Sequence, residues 1–132
     1  MPALSYHAQF APAVEAGHKL QTIRALRKVP IKRGDTLYHY TGMRTKACRR
    51  LGVSICETAN QIDIFTGRYQ VVCLQMCPGG SQRRIGPAEI LQIAKADGFE
   101  TLDAFYAWFG KPGTDLHHFH GQLITWTSIT PF

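Results

Sequence analysis

The sequence predicts an α+β protein, a sheet curled around a core with short helices plugging one end. Three observations lead there. The order of elements reads strand, helix, many strands, two helices, strand. The two late helical segments carry clear start and stop residues. The remainder is β-branched or alternates with a period of two. At 132 residues the chain is sized for one domain, 1–132. With 45% hydrophobic and 18% charged residues it has a globular composition, not a disordered one.

Taken in order, "LSYHAQF" places Leu4, Tyr6, Ala8 and Phe10 on one side and reads as a strand. "APAVEAG" reads as a short helix, with Pro12 in its first turn and Gly17 at its end. "GHKLQTIR", Gly17–Arg24, is polar, has no clean apolar period and is expected at the surface. Pro30 and Gly34 mark "VPIKRGD" as a turn. "TLYHY" is a strand and "TGMRTKACRR" a basic loop. "LGVSICETANQIDIF" is a long or broken strand, and "RYQVVCLQM" a central one. "CPGGSQRR" is expected to be a loop throughout. "GPAEILQIAKADGF" is the clearest helix, opened near Pro87 and closed by Gly98. "TLDAFYAWF" is a second helix with Thr101 as N-cap and Leu102, Phe105, Tyr106 and Phe109 on one face. "GKPGTDLHH" is a loop, and "FHGQLITWTSI" closes the chain as a strand.

Charge is distributed unevenly. The formal total is +6, with +9 in residues 1–84 and −3 in residues 85–132. Lys19–Arg50 holds ten cations against Asp35 alone. Crowding of like charge favours a polyanion partner over an idle basic face. Arg24, Arg27, Lys28, Arg44, Lys46, Arg49 and Arg50, with Arg83 and Arg84 further on, are the candidate phosphate contacts. Tyr38, His39, Tyr40 and Tyr69 lie among these cations, where flat rings suit stacked bases; each taken alone is expected to be ordinary strand packing, and Tyr40 is the candidate kept for binding.

No apolar run approaches the roughly 18 residues of a membrane span, so no membrane partner is expected. "MPALSYHAQF" lacks the cationic start and apolar run of a secretion signal, so a cytoplasmic location and reduced thiols are expected. Cys73 and Cys77 are spaced more widely than a zinc knuckle, and Cys73 sits in an apolar run. His117, His118 and His120 would have to complete a zinc site. Structural thiols and loop histidines are the expectation, with no metal and no cofactor.

Several motifs, taken in order, resemble the ASCH family, small β-barrel domains related to the PUA RNA-binding fold. They are Gly17-x-Lys19-x-x-Thr22-x-Arg24, the "RGD" of Arg33–Asp35 before a strand, "ADGF" of Ala96–Phe99 before the last helix, and the terminal "QLITW". Together they run from about Phe10 to Trp126. The resemblance implies a PUA-like barrel. It also implies binding of RNA, a nucleoside or a nucleotide-like ligand in a basic cleft lined by Lys19, Thr22 and Arg24, with Asp97 opposite. In family members similar to acylcytidine amidohydrolases, the Lys, the Thr and a downstream Glu are catalytic. That correspondence falls on Lys19, Thr22 and Asp97, with Asp one methylene shorter than Glu.

Such a trio has a coherent chemistry. A Thr hydroxyl needs a base to become a nucleophile, a desolvated Lys crowded by Arg24 can act as one, and a carboxylate can orient it. Geometry sets one condition. Residues three apart in a regular strand face opposite sides, so Lys19 and Thr22 converge only if Lys19 lies in the turn after Gly17 or a bulge intervenes. RNA binding is the primary reading. Deacylation of a modified cytidine, or RNA cleavage, is the first alternative. A protein-interaction module in a transcription- or phage-related complex is the second. A free nucleoside has no phosphate and gains little from a local charge of +9, which favours the polymer.

Overall fold

A computed structural model describes residues 2–66, 69–75, 79–110 and 118–131. The elements are β1 (Ala3–Tyr6), α1 (Ala11–Glu15), β2 (Gln21–Ala25), β3 (Thr36–Thr41), β4 (Arg49–Phe65), β5 (Val71–Gln75), β6 (Gln82–Arg84), α2 (Pro87–Asp97), α3 (Leu102–Phe109) and β7 (His118–Trp126). The protein is thus mixed α+β, with a seven-stranded sheet and few, short helices. Pairing runs β1-β3-β4-β5-β6, and β7 pairs with both β4 and β2. This path never returns on itself, so the pairings of the described residues do not make the expected closed barrel.

By contacts the chain forms two compact units. The first comprises 1–22, 31–59 and 124–132; the second comprises 23–30 and 60–123.

In the first unit β1 lies parallel to β3, and β3 pairs antiparallel with the start of β4. Leu4, Tyr6, Ala11, Val14, Ile31, Leu37, Leu51, Cys56, Ile124 and Trp126 form its core. Alternation along β3 sends Leu37 and His39 inward and leaves Tyr38 and Tyr40 half-buried on the other face. His39 is completely buried and therefore needs partners at both ring nitrogens. Tyr6 Oη lies 2.9 Å from its Nδ1 and Ser54 Oγ 2.7 Å from its Nε2. Tyr6 stacks on the imidazole, and Trp126 lies against it at 4.6 Å between centroids. His39 is thus a core residue, the ordinary strand packing that each of these rings taken alone is expected to show.

A register shift between His39 and Tyr40 leaves Leu51 as the extra residue of a bulge. Gly52 beside it has φ +154°, and a Cβ there would press on Ile129 at 2.6 Å. β1 ends at Tyr6, so the expected strand is shorter and Ala8 and Phe10 fall in a turn.

In the second unit β4 continues antiparallel to β5, and β5 to β6. Gln82–Arg84 is therefore a strand, where the sequence suggested loop: Leu74 and Cys73 offer it a free edge. Ile62, Ile64, Val72, Ile85, Ile90, Ala94, Phe99, Phe105 and Phe109 are buried here. Helix α2 ends as expected, with Gly98 left-handed at φ +108°. Thr101 caps α3 by accepting from Ala104 N–H at 3.1 Å. Phe99, Phe105 and Phe109 meet edge to face. Most of "GKPGTDLHH", with Cys77 and Arg68, lies outside the described residues; His118 already belongs to β7.

Two expectations follow. Burial, followed by repulsion from Asp35 and Glu57, pushes the Cys56 thiol from 9.0 up to about 11. The unfolded chain releases this proton first, so stability should fall as pH rises from about 9 through about 11. Urea titrations across that range should show the loss in the native chain and not in Cys56→Ala. At Gly121 a Cβ would stand 2.0 Å from the Arg24 carbonyl oxygen. Gly121→Ala should therefore lower the unfolding free energy by at least about 2 kcal/mol in the same assay.

Candidate functional site

The stretch from Gly17 to Arg24 departs from the surface segment expected. Gly17 turns the chain with φ +79°. The amides of His18 and Lys19 both donate to the Ala13 carbonyl at 2.9 Å, extending the end of α1 before β2 begins at Gln21. Lys19 thus precedes the strand that holds Thr22. Lys19, Gln21, Thr22 and Ile23 are all buried, Lys19 to 4% exposure. A charge taken this far from water demands compensation. Part of it is the Phe10 ring, whose centroid lies 5.3 Å from Lys19 Nζ.

The first unit holds Lys19 and Thr22; the second holds Arg24 and Asp97. Asp97 closes α2 and is buried at 6% exposure, an interior carboxylate rather than a solvated helix end.

The basic residues divide in the same way. Arg44, Lys46, Arg49 and Arg50 belong to the β3–β4 hairpin of the first unit, and all four are exposed. Arg44 takes the left-handed conformation at φ +65°, two residues after Gly42 at φ +64°, so the loop turns twice in a short span. Thr45 steadies the loop by donating to the Gly42 carbonyl at 2.6 Å and accepting from Ala47 N–H at 3.1 Å. Arg49 reaches Glu15 at 2.5 Å, an exposed pair worth little in water. Among the described residues, Arg44 and Lys46 form no ion pair. Tyr40 pairs in register with Arg50 and Thr41 with Arg49, so the half-buried Tyr40 and the exposed Arg50 are cross-strand neighbours. A cavity of about 530 Å³ in this unit is lined by Glu15, Gly17, Arg50, Thr127 and Ser128, among others.

In the second unit Arg27 and Lys28 occupy an exposed loop after β2, with Val29 79% exposed beside them. Arg83 pairs with Glu89 at 3.3 Å. Arg84 lies near Tyr106: burial pushes that phenol up and the Arg84 charge opposes it.

His118 and His120, weighed in sequence as completing a zinc site with Cys73 and Cys77, meet instead a residue the sequence reading missed, Asp63. Asp63 on β4 is buried, and a single oxygen of it, Oδ1, lies 2.6 Å from His118 Nε2 and 2.7 Å from His120 Nδ1. Gln82 Nε2 donates to Oδ2 at 2.5 Å. Burial alone would raise the Asp63 carboxyl; the hydrogen bonds from Gln82, His118 and His120 and the nearness of His120 hold it below its ordinary value. The signal available in sequence was the His118-x-His120 spacing on a strand, which puts both rings on one face. Nothing in sequence tied them to Asp63, 55 positions away. Cys73 is a free thiol of intermediate burial opposite Asp63 in the β4–β5 register. Cys77 and His117 lie outside the described residues.

No helix of the described chain is long and apolar enough to cross a membrane. Comparison with protein-family models, with curated proteins and with solved structures finds no match to this chain.

The contrast between buried and exposed cations is measurable. Lys19→Ala should lower the unfolding free energy by about 1–3 kcal/mol, because it removes a buried stem and the contact with Phe10. Arg44→Ala should leave it within about 0.5 kcal/mol. Equal effects in urea denaturation would contradict the division drawn between them.

Proposed function

We propose that this chain is an RNA-binding domain of the PUA-like, ASCH type, taking single-stranded RNA or a nucleotide-like ligand on the basic surface of its first unit. One observation carries the reading. The exposed cations of the β3–β4 hairpin, with Arg44 and Lys46 forming no ion pair among the described residues, belong to the same unit as a cavity of about 530 Å³ lined by Arg50. That volume suits a nucleotide-sized group, since ligand pockets commonly span about 300–1,000 Å³. The hairpin offers charge for successive phosphates, and Tyr40 beside Arg50 offers a ring for a base. The ordered likeness to ASCH motifs, from Gly17 to the terminal "QLITW", supports the family. Within that signature Gly17 is left-handed and Lys19 and Thr22 are buried.

The test is fluorescence anisotropy with a labelled single-stranded RNA of about 20 nucleotides at several salt concentrations. If four or five phosphates are contacted, log K should fall against log salt with a slope of about −3. Arg44→Glu with Lys46→Glu should weaken binding at least about tenfold and flatten the slope. Binding that is indifferent to salt and to this double variant would overturn the reading. Turnover of an N-acylcytidine, or cutting of the RNA probe, abolished by Lys19→Ala would replace it with the hydrolase.

A further inference from the structure

We propose that Asp63, His118 and His120 form a binding site for one divalent transition-metal ion, with zinc the first ion to test. All three belong to the second unit, and the proposal stands apart from the RNA reading.

The donor atoms already converge. One oxygen or ring nitrogen from each residue lies within 4.8 Å of the other two. Zinc bonds to imidazole nitrogen and carboxylate oxygen are about 2.0–2.2 Å, which puts tetrahedral ligands about 3.3 Å from one another. Small outward shifts of the two rings open that space, and both side chains are partly exposed to solvent. The His118 and His120 side chains are 49% and 42% exposed. The carboxylate is the fixed member, buried with only 11% of its side chain accessible.

The supporting contacts are those a ligand set needs. Gln82 holds Oδ2, so Oδ1 stays aimed at the two histidines. Phe65 stacks on His118 at 4.3 Å and 7° between planes, which limits how that ring can turn. His118 and His120 stand two apart on β7 and share a face without any backbone adjustment. The carboxylate comes from β4, so the three ligands belong to two separate strands.

The donor types select the class of ion. Two imidazole nitrogens and one carboxylate suit zinc, nickel, cobalt or iron(II), whereas magnesium and calcium favour all-oxygen shells. Three protein ligands leave at least one position open to water or to an anionic ligand. The site differs from the cysteine-based one weighed from sequence, because Cys73 is not among the converging donors.

The experiment uses the full chain, purified without a metal-binding tag, stripped with a chelator and titrated with zinc sulfate by calorimetry. We expect one zinc per chain with a dissociation constant in the micromolar range or tighter. His118→Ala and His120→Ala should each weaken binding at least about tenfold. Gln82→Ala, which removes only the support of Asp63, should weaken it about 10-fold, within the range for such outer contacts. Both histidines and Gln82 are exposed, so these variants should keep the native circular-dichroism spectrum. Cys48→Ser, Cys73→Ser and Cys77→Ser should leave zinc affinity unchanged. Absence of stoichiometric zinc uptake, or uptake that survives both histidine variants and is lost with the cysteines, would overturn the proposal. In the first case the three residues are a hydrogen-bonded support for β7 and nothing more.

Discussion

A β-strand has two hydrogen-bonding edges, and β4 divides its edges among three partners: β3, β5 and β7. Seventeen residues make this possible, because its first part serves β3 and its last part serves β5. Much of what is chemically notable in each unit follows from that sharing. In the first unit the pairing with β3 sets Tyr40 against Arg50 and closes the hairpin that carries Arg44 and Lys46. In the second it sets Asp63 against Cys73, with β6 as the next strand, so that Gln82 reaches the carboxylate. A slip of one residue in either register would turn these side chains to the opposite face.

The buried polar groups show how the interior tolerates them. His39 is satisfied at both nitrogens, by Tyr6 and Ser54, while aromatic rings cover its faces. Such a pair of bonds costs little once made and is costly to lose, because a buried hydroxyl or imidazole left alone forfeits its hydration. Asp63 follows the same logic with a charge: three donors surround one carboxylate. The two clusters differ in access. His39 is sealed, and its chemistry is confined to packing, whereas His118 and His120 face solvent, where an ion can exchange.

Charge is arranged by a similar division. Cations at the hairpin tip stay hydrated and lose little by being close together, since water and salt screen them. Lys19 is held in the interior against Phe10, where every contact weighs more. The exposed set keeps its freedom in solvent; the buried one is fixed by what packs around it. Surface pairs such as Arg49–Glu15 and Arg83–Glu89 are exposed and hold their partners weakly.

Local rules sufficed for the elements that end in unambiguous residues. Gly98 and Thr101 delimited α2 and α3, Pro12 and Gly17 delimited α1, and the β-branched runs marked β4 and β5. The α+β class and the asymmetric charge were likewise legible, since both depend only on residue type and spacing. What the sequence could not reveal depended on partners distant along the chain. Gln82–Arg84 is a strand because β5 presents an edge, against its own glycine-rich approach. His39 reads as one more polar ring in "TLYHY", and only Tyr6 and Ser54, 33 and 15 positions away, make it core. Gly17–Arg24 reads as surface because its residues are polar, yet burial of Lys19 and Thr22 is set by what packs around them. Asp63 meets His118 and His120 across 55 and 57 positions, a contact that no local pattern encodes. The sequence by itself determined the class of fold, its helices and where its charge lies. Strand partners and the side chains that share an interior were decided by the tertiary structure, because pairing and burial are satisfied by whichever distant groups the fold brings within reach.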